Sequence, residues 1–185
     1  MPVLDREPFI WPGNLLDSED MTTGDAQWFV LHTKPRMEKS FARYMRSASL
    51  GYFLPQREQT TKYPRRTVRS YLPLFPGYVF GHGDEETALR CRQRREVVNL
   101  LPVKDQELFQ NQLLGIHRLL DSGAPVTREE RLEPGMPAQI VNGPMAGLQG
   151  HVLKNHRGGL RFVLQVQFIQ QAASVEVEGA DVCAL

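Results

Sequence analysis

The chain has 185 residues, 41% of them hydrophobic and 23% charged, with two cysteines and a formal net charge of +1. This composition can bury a real core and excludes a disordered chain, while Cys91 and Cys183 alone exclude a disulfide framework or a CxxC zinc site, as fits a reducing cytosol. No apolar run approaches the roughly 20 residues that span a bilayer, and the acidic N-terminus lacks a signal-peptide core, so a cytoplasmic protein with no membrane partner is expected.

The near-neutral total conceals three regions. Residues 1–27 hold one Arg against six acids, residues 28–104 hold 15 Lys and Arg against six acids, and residues 105–185 hold six against nine. Only the middle is basic. Most of its cations are Arg, which pairs phosphate in a bidentate fork, so a polyanion or an acidic protein surface is expected as the partner of this region.

In chain order, residues 1–26 have no sustained period and read as a mobile extension, with Leu15 and Leu16 as candidates for tacking it down and Trp11 as a hint of docking. Trp28 to Thr33 is a β-forming run and predicts a central strand. Thr33 as N-cap, Pro35 in the first turn and Met37, Phe41, Tyr44 and Ala48 at helical spacing predict an amphipathic helix, ended by Gly51 and carrying Arg36, Lys39, Arg43 and Arg46 on its free side. Two strands joined by a basic hairpin (Arg57, Lys62, Arg65, Arg66) follow, within reach of a protein or nucleic-acid partner; the turn lacks an Asn-Gly signal.

Tyr71 to Phe80 crowds aromatic residues around Pro73, Pro76 and Gly77, which suits a bent strand entrance rather than an interior strand. Phe75, Tyr78 and Phe80 there suit a core and a contact surface equally. A strand from Gly77, a short helix with acids in its first turn and Arg90 to Arg95 at its end, a strand from Val97 and a helix with Phe109, Leu113, Ile116 and Leu120 in register complete the pattern. The order β-α-β-β-β-α-β-α predicts an α+β fold with an antiparallel sheet and helices on one side. After a linker bounded by Pro125 and Pro134 the pattern becomes all-β: Phe162, Leu164, Val166 and Phe168 alternate with polar or smaller residues, as do Val175 and Val177, which predicts a small antiparallel barrel.

Three motifs occur in order: Trp28-Phe-Val-Leu-His-Thr-Lys-Pro-Arg-Met-Glu38, Leu74-Phe-Pro-Gly-Tyr-Val-Phe80, and Glu133-Pro-Gly-Met-Pro-Ala-Gln-Ile-Val-Asn-Gly-Pro-Met-Ala-Gly-Leu-Gln-Gly150. The last resembles a KOW domain, and residues 27–185 as a whole resemble the NusG family of transcription elongation factors. The domains expected are an extension over 1–26, a NusG N-terminal α+β domain over 27–121, a linker over 122–133 and a KOW β-barrel over 134–185.

The resemblance implies an elongation or antitermination factor, not an enzyme, that binds the clamp helices of RNA polymerase, closes the clamp and suppresses pausing. By the family pattern the polymerase contact falls on Phe75, Pro76, Tyr78 and Phe80 with His32 nearby. Lys34, Arg36, Arg94 and Arg95 fall where family members touch upstream or non-template DNA. The loop Phe168, Ile169, Gln170 and Gln171 falls where the KOW domain binds Rho or a ribosomal protein. Common members carry Phe-Gly-Arg at about that place, so Ile169-Gln170-Gln171 disfavours Rho and tilts the reading toward a specialised, RfaH-like paralogue; a monomer is expected.

Catalysis has no support in the residues. The five histidines form no HExxH, the acids form no paired site, and Gly143 to Gly150 lacks the Lys-Ser/Thr of a phosphate loop, so neither metal nor cofactor is expected. The alternative is an RNA-binding or ribosome-associated KOW protein without polymerase activity.

Overall fold

A computed structural model describes residues 8–16, 25–129, 135–154, 159–178 and 181–185. They fall into two compact units that divide between Gln106 and Glu107.

The first unit is built on a five-stranded antiparallel sheet in the order β1-β3-β6-β2-β7, comprising β1 (Ile10–Trp11), β3 (Gly51–Phe53), β6 (Tyr78–Gly83), β2 (Gln27–Thr33) and β7 (Val97–Pro102). Strand β2 pairs with β6 on one side and β7 on the other, as its unbroken apolar run suggests. Helix α1 (Glu38–Ser47) contributes Phe41, Ala42 and Met45 to one core cluster with Phe29, Leu31, Tyr52, Leu54, Val79 and Cys91; α2 (Glu85–Arg92) supplies Cys91, whose thiol burial pushes up to about 11.

The opposite sheet face is buried too. Phe80 lies opposite Val30 in register, tilts against Phe53 with ring centroids 6.2 Å apart and meets Phe75 edge-on at 6.1 Å. Phe75 is 1% exposed and Phe80 fully buried, so these two side chains are core rather than the contact surface expected of them. Strand alternation explains this: Val79 and Phe80 point to opposite faces, and both faces are filled.

Three further differences have local causes. Residues 9–16, expected to be mobile, are folded: β1 pairs with β3, Leu54 N–H donates to Phe9 O at 2.6 Å, the Tyr52 hydroxyl donates to Pro8 O at 2.9 Å, and Leu15 and Leu16 are buried. The remainder of that extension, residues 1–7 and 17–24, lies outside the described residues. Helix α1 starts at Glu38 without a side-chain cap, because Thr33 is spent in the sheet opposite Val97 and a turn over Lys34 to Met37 intervenes. The basic hairpin is a separate two-stranded ribbon, β4 (Gln56–Tyr63) with β5 (Arg66–Pro73), outside the main sheet. In α2 Glu85 and Glu86 lie in the first turn as expected, while Asp84 caps the helix: it accepts from Thr87 N–H at 2.8 Å, and the hydrogen bonds from Thr87 hold its carboxyl below the usual range.

The second unit holds α3 (Gln106–Asp121) from Glu107 onward and a six-stranded antiparallel sheet. The strand order is β13 (Val182–Ala184), β9 (Met136–Ile140), β10 (Gln149–Lys154), β11 (Leu160–Val166), β12 (Gln171–Val177) and β8 (Thr127–Glu129). Phe162, Leu164, Val166 and Val175 are buried, as their alternation predicts, but Val163 between them is buried too and Val177 is half-buried. Gly150 sits where a Cβ would lie 2.5 Å from Val163 O, so the crossing of β10 and β11 admits only glycine. Strand β8 falls inside the expected 122–133 linker and pairs with β12, while residues 130–133 lie outside the described residues. The compact units thus divide after the first residue of α3, whereas the boundary read from the sequence follows that helix.

If Phe80 is core, Phe80→Ala should lower unfolding stability by about 3–5 kcal/mol, read from denaturant melts. A side chain serving only as an external contact would leave the melt unchanged.

Candidate functional site: an aromatic and basic corner

One end of the first unit's sheet gathers three segments distant in sequence. At the end of β2, Thr33 N–H donates to Gly77 O and Lys34 N–H donates to Glu96 O, both at 2.8 Å. A register shift between His32 and Thr33 lets one strand serve both neighbours there. His32 and Tyr78 are register partners and their rings stack, 5.4 Å between centroids at an interplanar angle of 26°. His32 is exposed and Tyr78 half-buried, and Pro76 beside them is exposed.

The turn carrying Pro76 is held from beneath. Gly77 adopts φ +84°, which favours glycine, and its N–H donates to the buried carboxylate Oε1 of Glu38 at 2.7 Å. Glu38 therefore ties the first turn of α1 to the Phe-Pro-Gly-Tyr segment. Sequence reading missed it, since the partners are 39 residues apart and an acid in a helix's first turn has an ordinary explanation in the helix dipole.

Beside the aromatic pair lies the cationic part. Met37 N–H donates to Lys34 O at 3.1 Å, closing a turn with Pro35 second and Arg36 third, and Arg36 takes φ 65° where a type II turn prefers glycine. Lys34, Pro35, Arg36 and Met37 are all exposed. Arg95 follows across the Lys34–Glu96 bond with its side chain 89% exposed.

Arg94 differs. Its guanidinium lies 4.0 Å from the Tyr44 ring centroid and its Nη2 donates to Glu96 Oε1 at 3.3 Å, so this arginine is held against the domain. Burial pushes the Glu96 carboxyl up, but its own backbone N–H, the Arg94 hydrogen bond and the charges of Arg94 and Arg95 together hold it below its ordinary value. The four cations expected at a nucleic-acid surface thus gather at one corner, three projecting and one anchoring.

In the second unit the loop expected to bind partners runs through a single 3-10 turn, Gln167–Ile169. Phe168 is 39% exposed and meets Phe109 of α3 edge-on at 5.9 Å, while Gln167 N–H donates to Gln112 Oε1 at 3.1 Å. Ile169 is buried, Gln170 is exposed in a left-handed conformation with φ 51°, and Gln171 is half-buried. This loop therefore presents Phe168 and Gln170. Among the described residues no group of His, Cys, Asp and Glu could hold a metal ion, and no helix is long and apolar enough to cross a membrane.

An α+β unit with an exposed aromatic and cationic corner is thus followed in sequence by a unit with an antiparallel sheet. The family model described as transcription termination factor nusG matches residues 26–130, more than half of the chain, and the protein belongs to the NusG family. In fold its C-terminal antiparallel sheet is KOW-like. Among solved structures, NusG of Thermotoga maritima, determined in a study of its domain interaction, superposes with a TM-score of 0.50 at 20% identity, covering 86% of this chain and 97% of that one. A MjSpt4:Spt5 complex gives a TM-score of 0.29 at 16% identity, covering 85% and 96% respectively. Comparison with curated proteins gives no match.

The Glu96 arrangement carries a pH signature. Because its folded pKa is depressed, the carboxylate stabilises the corner above its unfolded value of about 4.3, and that contribution is lost as pH falls through the lower folded value. Glu96→Gln should lower the melting temperature at pH 7, with the gap to the unaltered protein closing as both are titrated toward pH 3. A gap that stays constant would remove the ion-pair account.

Proposed function

We propose that this protein is a transcription elongation or antitermination factor that docks on RNA polymerase through the corner formed by His32, Pro76 and Tyr78. Membership of the NusG family supports transcription as the process. The stacked, accessible His32–Tyr78 pair carries the docking assignment, since an aromatic pair set on rigid strands gives a partner groove an anchor at little entropic cost. Phe75 and Phe80 then act from within, fixing the strand on which Tyr78 is mounted.

Lys34, Arg36 and Arg95 extend the same corner as a phosphate-facing edge for upstream or non-template DNA beside the bound polymerase, with Arg94 shaping the edge through Tyr44 and Glu96. Bound there, the factor favours the closed clamp by binding it better than the open one, which suppresses pausing without any chemical step. The KOW-like sheet recruits a further protein through Phe168 and Gln170, a ribosomal protein rather than Rho in view of Ile169-Gln170-Gln171.

Tagged full-length protein should co-purify with RNA polymerase from its host, and His32→Ala with Tyr78→Ala should reduce recovery at least about tenfold while leaving the fold intact. Undiminished recovery would sink the docking assignment. In assembled elongation complexes, Lys34→Ala, Arg36→Ala and Arg95→Ala together should reduce crosslinking to the non-template strand without loss of polymerase; an unchanged crosslink yield would remove the DNA role.

A further inference from the structure

The β4–β5 ribbon is the most cationic element that the docking corner leaves unused. Its two strands of eight residues each extend roughly 27 Å at ~3.4 Å per residue and form a sheet of their own. Only Gln56, at its root, is buried. The root is fastened by Leu74 N–H to Pro55 O at 2.8 Å and by Lys39 Nζ donating to Tyr71 O. Five cations stand on the ribbon against one carboxylate, Glu58, which pairs with Arg69.

The register places those cations. Tyr63 faces Arg66 and Arg57 faces Leu72, so Arg57 and Arg66 share one face; Lys62 faces Thr67 and Arg69 faces Thr60, so Lys62 and Arg69 share the other. Arg65 sits in the tip turn after Pro64. Tyr63 is 53% exposed there, with the Arg66 guanidinium 5.7 Å from its ring centroid. Positive charge thus lines both faces and the end of a narrow blade.

We propose that this ribbon enters the major groove of duplex DNA and grips it without regard to sequence. A flat acidic protein surface would use one charged face; a groove offers phosphates on both walls, which matches cations on both faces. B-form DNA has a major groove about 12 Å wide that admits a two-stranded β-ribbon, whereas the A-form groove of duplex RNA is too deep and narrow for side chains to read. Lys62, Arg65 and Arg66 take phosphates, and Tyr63 packs its ring against the groove lining. With Lys62, Arg65 and Arg66 engaged by phosphates, which carry no sequence information, no sequence preference is expected of the tip. This goes beyond polymerase docking and does not depend on it.

The test uses the full-length protein and a fluorescein-labelled 20-base-pair DNA duplex of mixed sequence, followed by anisotropy from 50 to 200 mM salt. Arg65→Gln with Arg66→Gln should weaken binding about tenfold and flatten the slope of log affinity against log salt by about two. Tyr63→Ala should weaken binding with the slope unchanged. The same loss should persist when Lys34, Arg36 and Arg95 are already replaced by Gln, which separates the ribbon from the corner. A 20-base-pair RNA duplex and polyglutamate should bind more weakly and respond less to the tip changes. Unaltered DNA affinity in the double variant would overturn the proposal, and so would equally tight, equally tip-dependent binding of polyglutamate or RNA. Polymerase recovery by the double variant reports on the docking corner alone, so failure of one reading leaves the other standing.

Discussion

Everything at the candidate site depends on how β2 satisfies its backbone at its C-terminal end. A central strand must find partners on both edges, and β2 does so with β6 and β7 until His32, where the register shifts. The next two N–H groups then go to different neighbours, Thr33 to Gly77 and Lys34 to Glu96. Those two bonds bring the Phe-Pro-Gly-Tyr turn and the arginines ahead of β7 to either side of one short segment. The aromatic pair and the cations adjoin for a backbone reason, before any side chain is considered.

Two carboxylates finish the corner, each in a distinct way. Glu38 is buried and accepts the Gly77 N–H, taking the place of a backbone acceptor that the left-handed turn cannot supply. Glu96 gathers Arg94 and Arg95, and in doing so assigns them separate tasks, since only Arg94 also lies over Tyr44. A basic surface built this way keeps its net charge for a partner while its nearest acid restrains the arginine that would otherwise swing freely. The restraint is electrostatic and modest where the groups are exposed, so Arg95 keeps its reach.

Much of this was legible in the residues. The α+β pattern, the all-β C-terminal pattern and the strand at Trp28 follow from periodicity, and all three are present. What periodicity could not resolve was which side of β6 was open. Phe75, Tyr78 and Phe80 look alike as letters, yet Phe80 is interior and Tyr78 is reachable, because the sheet is covered on both faces and only its end is free. The arginines were likewise equivalent in sequence; the Tyr44 ring and the Glu96 carboxylate that distinguish Arg94 come from other turns of the chain. Helix α1 began later than its capping residue suggested, since a threonine at a strand end serves the ladder first.

The short N-terminal strand has a bearing on self-association. Without β1, Gly51–Phe53 would form the margin of the main sheet, with two large aromatic side chains and open backbone groups at Tyr52 and Phe53. Such a margin templates the addition of a further strand, including the same strand of another molecule. Ile10 and Trp11 occupy it with a pairing only two residues long, after which Pro12 withholds a donor and ends the ladder. Ile10 and Trp11 thus cap the backbone of Tyr52 and Phe53, and removing them would leave that backbone open to pairing with another strand.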